Sequence, residues 1–512
     1  VSARRQNSWS AFVGVLSALV AVAVTELGAL MIAPPSSPVA AVGSLVIDLS
    51  PPWVKDFTIG LFGTADKIVL LALVGMLVLV LAVVIGMLEY RRRLWGVAAL
   101  VAVGLVAMAA VVTRSEANWL WAVPTLLGVV AGAACLRSLT KKLHAWAAAA
   151  RSPQAAVTRR NFLAVAGTTT AAALVVGLSS RAINASTTAL RAARNAVTLP
   201  RATTAAPPIP AGAELGIPGL APVVSDNEHF YRIDTALQAP VIEPETWRLV
   251  VTGLVEREVS LTFDELLALP LTEKTVTLAC VSNEVGGTLI GNAVWLGYPI
   301  RELLAKAGPR PGADMVLSRS IDGFTASTPL EVLLDPERDS LLAVGMNGEP
   351  LPVAHGFPVR MVVPGLYGYV SATKWLVELK VTTFAKDAGY WTTRGWSARG
   401  PVKLSSRIDV PRSGSQLRAG RVAIAGVAWA QHTGVGAVEV RIDEGPWRDA
   451  RLADAISVDT WRQWIYEWDA TSGSHLIEVR ATDAAGTTQS AQRVPVAPNG
   501  AEGWHSVTVT VA

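Results

Sequence analysis

Cysteine is nearly absent: the 512-residue chain has two, Cys135 and Cys280, so a disulfide framework is excluded. Charge is scarce as well. Only 16% of residues are Asp, Glu, Lys or Arg while 51% are hydrophobic, too apolar a balance for an ordinary soluble protein. Histidine is rare, with six in the chain and only His144 near the apolar runs, so paired axial ligands for membrane b haems are missing. The sequence contains no C-x-x-C, no C-x-x-C-H, no H-E-x-x-H, no G-x-x-x-x-G-K-[ST] and no nucleophile elbow. The formal net charge is +4, and no basic face with interleaved aromatics is present, which excludes nucleic acid as a partner.

What is present is unevenly distributed. Five apolar runs near the ~20-residue length of a membrane span occupy residues 10–33, 68–88, 94–112, 119–136 and 162–178. Eleven basic residues flank them on one side: Arg4, Arg5, Arg91, Arg92, Arg93, Arg137, Lys141, Lys142, Arg151, Arg159 and Arg160. The other side carries Lys55, Lys67 and Arg114. The positive-inside rule then predicts a cytoplasmic N-terminus and, after five crossings, an extracytoplasmic C-terminal part of a multi-pass cell-membrane protein. Arg159-Arg160-Asn161-Phe162-Leu163 before the fifth run reads either as ordinary cytoplasmic positive charge or as a twin-arginine export signal. The modest apolarity of that run, with Gly167 and Thr168–Thr170, favours the signal. Glu26 in the first run is the intramembrane acid to examine as a proton or quinone site, whereas Cys135 in the fourth reads as ordinary packing.

Composition sets four regions: membrane helices at 1–180, an Ala/Thr/Pro-rich linker at 181–225, a mixed domain at 226–398 and a β domain at 399–512. In the third, strands are expected at residues 247–253, 275–278, 360–363 and 374–381. Helices are expected at 262–269, capped near Thr262, and at 300–307, which together predict a compact α+β domain with its site on loops at strand ends. Cys280 closes Thr277-Leu278-Ala279-Cys280-Val281-Ser282-Asn283. A lone thiol in an exported domain has no disulfide partner, and a soft metal would protect it; the alternative is a small buried apolar residue.

Downstream stand Met346-Asn347-Gly348-Glu349-Pro350, His355-Gly356-Phe357-Pro358-Val359-Arg360, Val363-Pro364-Gly365 and Lys374-Trp375. With the Cys280 segment, this set resembles the molybdopterin domain of the sulfite oxidase family, and the likeness runs from about residue 227 to the end. The resemblance implies an α+β molybdopterin-binding fold, molybdenum and molybdopterin as cofactors, and two-electron oxygen-atom transfer on a small-molecule substrate. By the same resemblance Cys280 ligates the metal and Asp322 joins it as a catalytic residue, while His355, Arg360, Ser371 and Lys374 hold the pterin and its phosphate. Asn227, Tyr231 and Arg232 contact the cofactor from the other side. A fork donor and a point charge suit a phosphate, which is the chemistry Arg360 and Lys374 offer.

From about residue 400 short alternating strands, expected at 421–429, 437–442, 461–468, 474–481 and 504–511, argue for an immunoglobulin-like sandwich. They resemble the family's dimerisation domain, which implies a homodimer through that domain. His432, His475 and His505 show no metal spacing and read as structural. The chain departs from sulfite oxidases in two places. Glu284 and Val285 stand where those enzymes carry an arginine pair, and Val344 where they carry a tyrosine, so the expected pocket is poor in cations for sulfite. Arg301 and Arg319 are the candidates to compensate. Three functions follow as expectations: an oxygen-atom-transferring oxidase passing electrons to a separate partner or quinone, a reductase of sulfoxides or N-oxides, or a non-catalytic surface protein with a degenerate cofactor fold.

Overall fold

A computed structural model describes residues 3–32, 36–50, 66–114, 117–149, 155–182, 185–236 and 239–512. Ala33, Lys55 and Arg151, used above to read the membrane topology, lie outside the described residues. The chain divides into two compact units, one of residues 1–189 with 235–241 and one of residues 190–234 with 242–512.

The first unit is helical. Among the described residues, four helical segments are long and apolar enough to cross a membrane: Gln6–Ile32, Ala72–Arg91, Trp95–Val112 and Trp119–Ala149. The fifth expected run lies in the helix Ala155–Ala182, whose side chains from residue 172 onward lie outside the described ones. The fourth helix runs past the expected residue 136 to Ala149, and Leu136, Leu139 and Leu143 continue its buried stripe at i, i+3 and i+7. Small residues let backbones meet. A Cβ added at Gly14 would lie 2.0 Å from the Ala82 carbonyl oxygen, and one at Gly86 would lie 2.1 Å from that of Ser10. Glu26 accepts a hydrogen bond from Ser37 (2.8 Å), and Cys135 packs with the helical core.

The second unit holds two further sheets and a sandwich. One mixed sheet has the order Val259–Thr262, Arg248–Gly253, Leu376–Thr382, Met315–Ser320, Thr325–Pro329, with Arg248–Gly253 parallel to Leu376–Thr382. The expected cap is real: Thr262 and Glu265 form a capping box on the Phe263–Leu267 helix. The other sheet is antiparallel. It runs Thr272–Ala279, Ile290–Pro299, Leu341–Met346, Glu349–Pro350, and Arg360–Val362 also pairs with Leu341–Met346. Its core gathers Val276, Leu278, Trp295, Ala343, Phe357 and Val362.

The linker is not wholly irregular, since the helix Ala185–Ala196 opens it. Arg194 near the end of that helix donates to the carbonyls of Pro350 and Leu351 and pairs with Glu349 at 3.0 Å. From Val197 to Val223 the chain runs over the second unit without long helix or strand, as composition predicts. Residues 405–511 form two facing sheets, antiparallel except that the short Gln416–Leu417 strand runs parallel to His505–Val511. One has the order Ser405–Val410, Gly420–Trp429, Arg462–Ala470, Arg451–Leu452; the other has Gln416–Leu417, His505–Val511, Gly473–Asp483, Val435–Ile442, Arg448–Asp449. Trp464, Ile424, Val438, Ile477, Val479 and Val509 are buried between them.

Asn292 locks the antiparallel sheet to the incoming linker. Fully buried, it accepts from the Thr277 hydroxyl (3.0 Å) and donates to the Val223 carbonyl (2.7 Å). Asn292→Ala strands buried polar groups, so we expect a loss of ~2–4 kcal/mol in chemical denaturation of the full chain. A shift under about 0.5 kcal/mol would show that these bonds are replaceable.

Candidate active site

Cys280 follows the Thr272–Ala279 strand at the start of a hairpin loop that returns into Ile290–Pro299. The Cys280 N–H donates to the Leu289 carbonyl (2.9 Å), and the Leu289 N–H donates to Asn283 Oδ1 (2.8 Å), so the loop is closed at its base and from within. The thiol is buried. Burial raises its pKa; hydrogen bonds from Ser282 and the charge of Lys374 oppose the rise. Lys374 is therefore in electrostatic reach of the sulfur.

A cluster of basic groups lies alongside. Arg360 is 4% exposed, and its guanidinium donates to three backbone carbonyls: Met361 (3.3 Å), His355 (3.1 Å) and Ala372 (3.4 Å). It also stands 5.1 Å from the centre of the Trp295 ring. Among the described residues no carboxylate pairs with it. Burial lowers its pKa to about 10. Lys374 donates to Asp234 Oδ2 (2.9 Å) and to the Ala354 carbonyl (3.0 Å), and burial lowers its pKa to about 8 against the raising effect of Asp234. Arg232, more exposed, pairs with the same Asp234 oxygen at 3.0 Å. Gly356, at φ +114°, permits the crowding: a Cβ there would lie 3.0 Å from that of Arg360 and 3.1 Å from that of Lys374.

His355 is buried and uncharged. Its pKa falls to about 4, first through burial and then through Lys374 and Arg360. Nε2 faces the Asn227 carbonyl at 3.0 Å. A carbonyl only accepts, so Nε2 carries the proton and Nδ1 is a bare acceptor, buried and without a partner.

The other expected residues divide. Tyr231 is half-buried, and its pKa is raised by burial and by Cys280. Asn227 spends its side chain on the Met346–Glu349 turn, donating to the Met346 carbonyl (3.2 Å) and accepting from Asn347 (2.9 Å). Ser371 is fully buried and donates to the carbonyls of Leu366 (3.2 Å) and Tyr367 (2.9 Å), which ties its hydroxyl to the short Gly368–Ser371 helix. Asp322 stands beside Asp234, and burial together with that neighbour raises its pKa. Arg301 is committed to Asp339 and Glu302, and Arg319 to Glu378.

Two residues were missed. Asp234 joins Arg232 to Lys374, and its only signal was a carboxylate two residues after Arg232. Tyr367, buried and close enough to Cys280 for their charges to interact, has its pKa pushed up to about 12, chiefly by burial. It follows Val363-Pro364-Gly365, within a motif whose phenol carried no expectation. Val344, which occupies the family's tyrosine position, is fully buried in its strand.

These residues fit the group implied by the sequence. A buried guanidinium without a carboxylate and a lysine sharing its single carboxylate with Arg232 leave net positive charge that an anionic group neutralises. No three His, Cys, Asp or Glu side chains gather as a metal site among the described residues, so a metal at Cys280 requires donors brought by an organic ligand. Residues 236–391 match the family model of the oxidoreductase molybdopterin binding domain. The mitochondrial sulfite oxidases of Mus musculus and Macaca fascicularis are 32% and 31% identical to the chain, covering 44% and 54% of it and 50% and 60% of their own length. Residues 236–391 are a molybdopterin-binding oxidoreductase domain of the sulfite oxidase family.

The molybdopterin-binding domain is shared more widely. Nitrate reductase [NADH] 1 of Oryza sativa subsp. japonica is 34% identical over 28% of this chain and 19% of its own length. The sulfane dehydrogenase SoxCD of Paracoccus pantotrophus aligns with 54% of the chain and 80% of its own at 25% identity and a TM-score of 0.46. The chain spans about half the length of the curated relatives it matches. The cofactor of the matched domain is molybdenum-molybdopterin, and the domain is of the oxidoreductase class.

The His355 assignment makes a pH prediction. Its folded pKa lies below the ordinary 6.5, so between about 6.5 and 4 the unfolded chain binds a proton that the folded one does not, and stability falls as pH falls through that window. For cofactor-free protein this contribution amounts to roughly 3 kcal/mol. His355→Gln should flatten that part of the melting-temperature profile. Identical profiles for both proteins between pH 6.5 and 4 would refute the buried neutral imidazole.

Proposed function

We propose that the chain is a membrane-anchored molybdenum oxidoreductase whose molybdopterin-binding domain works on the external face. The observation that carries the site assignment is Arg360, a buried cation with no carboxylate, beside Lys374 and the single thiol Cys280. Cys280 would ligate the metal. Arg360, Lys374 and Arg232 would hold the phosphate end of the cofactor, and the His355 Nδ1 lone pair would accept an N–H from the pterin. The metal centre, when bound, supplies transfer of one oxygen atom coupled to two electrons.

The chain's own groups do the rest. Burial around Cys280 excludes water from the thiolate, and a metal cation would drive its deprotonation against the raised pKa. Tyr231 and Tyr367 keep their phenolic protons at physiological pH and are the hydroxyl donors in electrostatic reach of Cys280. Asp322, whose carboxyl pKa is raised first by burial and then by Asp234, is the acid beside that carboxylate. The C-terminal sandwich is read as an immunoglobulin-like domain, supported by its two facing, mainly antiparallel sheets, and a homodimer through it is part of the proposal. Electrons would pass to a separate partner or to quinone.

Substrate direction follows the charge of the Cys280 loop. Glu284 is exposed there, Arg301 and Arg319 are engaged with carboxylates, and a small oxyanion would lack the charge-assisted contacts, each worth ~1.5–3 kcal/mol, that hold it. Reduction of sulfoxides or N-oxides is therefore the second reading. Full-length protein should contain about one molybdenum and one pterin per chain, and Cys280→Ser should fold and keep pterin while turnover is abolished. Neither element in protein grown with molybdate would defeat the enzyme reading. Saturation by micromolar sulfite, with turnover above that for every sulfoxide tested, would overturn the substrate argument.

Export is proposed to use Arg159-Arg160. Changing both to lysine should leave the first four spans inserted and strand the molybdopterin-binding domain inside, read as protection from external protease. Unchanged digestion would assign the pair to positive-inside charge alone.

A further inference from the structure

The Thr272–Ala279 strand is the edge of its sheet, and an edge strand presents unpaired N–H and C=O groups. The β-sandwich fills that edge three residues before Cys280. The Thr277 N–H donates to the Asp459 carbonyl (3.0 Å), and the Gln431 side-chain amide donates to the Thr277 carbonyl. The Trp461 N–H donates to the Thr277 hydroxyl (2.8 Å). Asp459 is itself 2% exposed, and its carboxylate meets His432 Nδ1 at 3.2 Å.

A second, separate contact lands on the far side of the thiol. Arg407, 6% exposed and paired with Asp409 at 2.6 Å, donates to the Gly287 carbonyl (2.8 Å). Gly286, at φ +79°, lies so close to His505 that an added Cβ would fall 2.2 Å from its ring. The ring is fixed in turn, because His505 Nδ1 accepts the Ile408 N–H (2.9 Å). Every one of these partners belongs to the sandwich, and every target belongs to the strand or loop that bears Cys280.

We infer that the C-terminal sandwich is a positioning part of the metal site, gripping the Cys280 hairpin at Thr277 and at Gly286–Gly287 so that the thiol is presented in one place. The sandwich also bonds to the linker and to Asp335, but four of its hydrogen bonds, and the close approach of His505 to Gly286, fall within seven residues of one sulfur. This rests on Cys280 being the ligand, but its test needs no metal.

The test is the rate at which a disulfide reagent modifies Cys280 in the full-length chain, made in detergent without cofactor and in a Cys135→Ala background. Thiol modification requires the loop to open, so the rate reports how tightly the hairpin is held. Gln431→Ala with Arg407→Ala should raise the rate about tenfold or more, Arg407→Lys should fall back towards wild type, and Arg421→Ala, which breaks an exposed pair with Glu467 on the same sandwich, should leave it unchanged. If the double variant loses its cooperative melt, Gly286→Ala provides the second arm by forcing the loop off His505 with the sandwich untouched, and it should also accelerate modification. Unchanged rates in the double variant and in Gly286→Ala, or equal acceleration by Arg421→Ala, would overturn the inference. X-ray absorption at the molybdenum edge of loaded wild-type and Cys280→Ser protein reads the ligand assignment separately: the same number of sulfur ligands in both would remove Cys280 as ligand and leave the grip standing.

Discussion

A guanidinium taken out of water demands an anion, and among the described residues Arg360 has none of its own. Its nitrogens rest on three carbonyl oxygens and its face lies near Trp295, an arrangement that satisfies geometry but leaves the charge uncompensated. The surrounding features follow from that constraint. Gly356 must lack a side chain for Arg360 and Lys374 to stand together, the imidazole of His355 is kept neutral by burial and by the two cations, and Asp234 is shared between Arg232 and Lys374. The fold holds these groups in place through the Arg360–Val362 strand, paired with the buried Leu341–Met346 strand.

Much of this was legible in the sequence, and the limits have physical causes. Alternation between buried and exposed residues disclosed the sandwich strands, such as Gly473–Asp483, because one face of each meets water. Ile290–Pro299 and Leu341–Met346 escaped notice because they are buried nearly throughout, so no period of two marks them. The Ala185–Ala196 helix was hidden by its alanines and threonines, which signal a linker by composition although the segment is helical. Cys280, Arg360 and Lys374 were found by motif. Asp234, which opposes the effect of burial on Lys374, lies 140 residues away in sequence and could be placed beside it only by the fold.

Comparing positions one at a time also misjudged the thiol's surroundings. Val344 fills the family's tyrosine position, from which an absence of phenol would follow. The folded chain instead brings Tyr231 and Tyr367 towards Cys280 from other segments. A side chain's chemistry can be supplied by any backbone that passes the same point, so a substitution at one position predicts a loss only where no neighbour compensates. For the cations no such replacement exists in Arg301 or Arg319, whose carboxylate partners hold them.

The hairpin that carries Cys280 separates two demands usually in conflict. The thiol is set by the ladder at the loop's base, where its own N–H meets Leu289, while Asn283 braces the interior by accepting the Leu289 N–H. Glu284 and Val285 lie beyond those bonds. Selection can therefore rewrite the tip residue by residue, changing which molecules are admitted, without disturbing the sulfur. Between Asn283 and Gly286 the loop behaves as an interchangeable cassette, and exchanging those two residues between relatives is a route to new specificity that leaves the sulfur where it was.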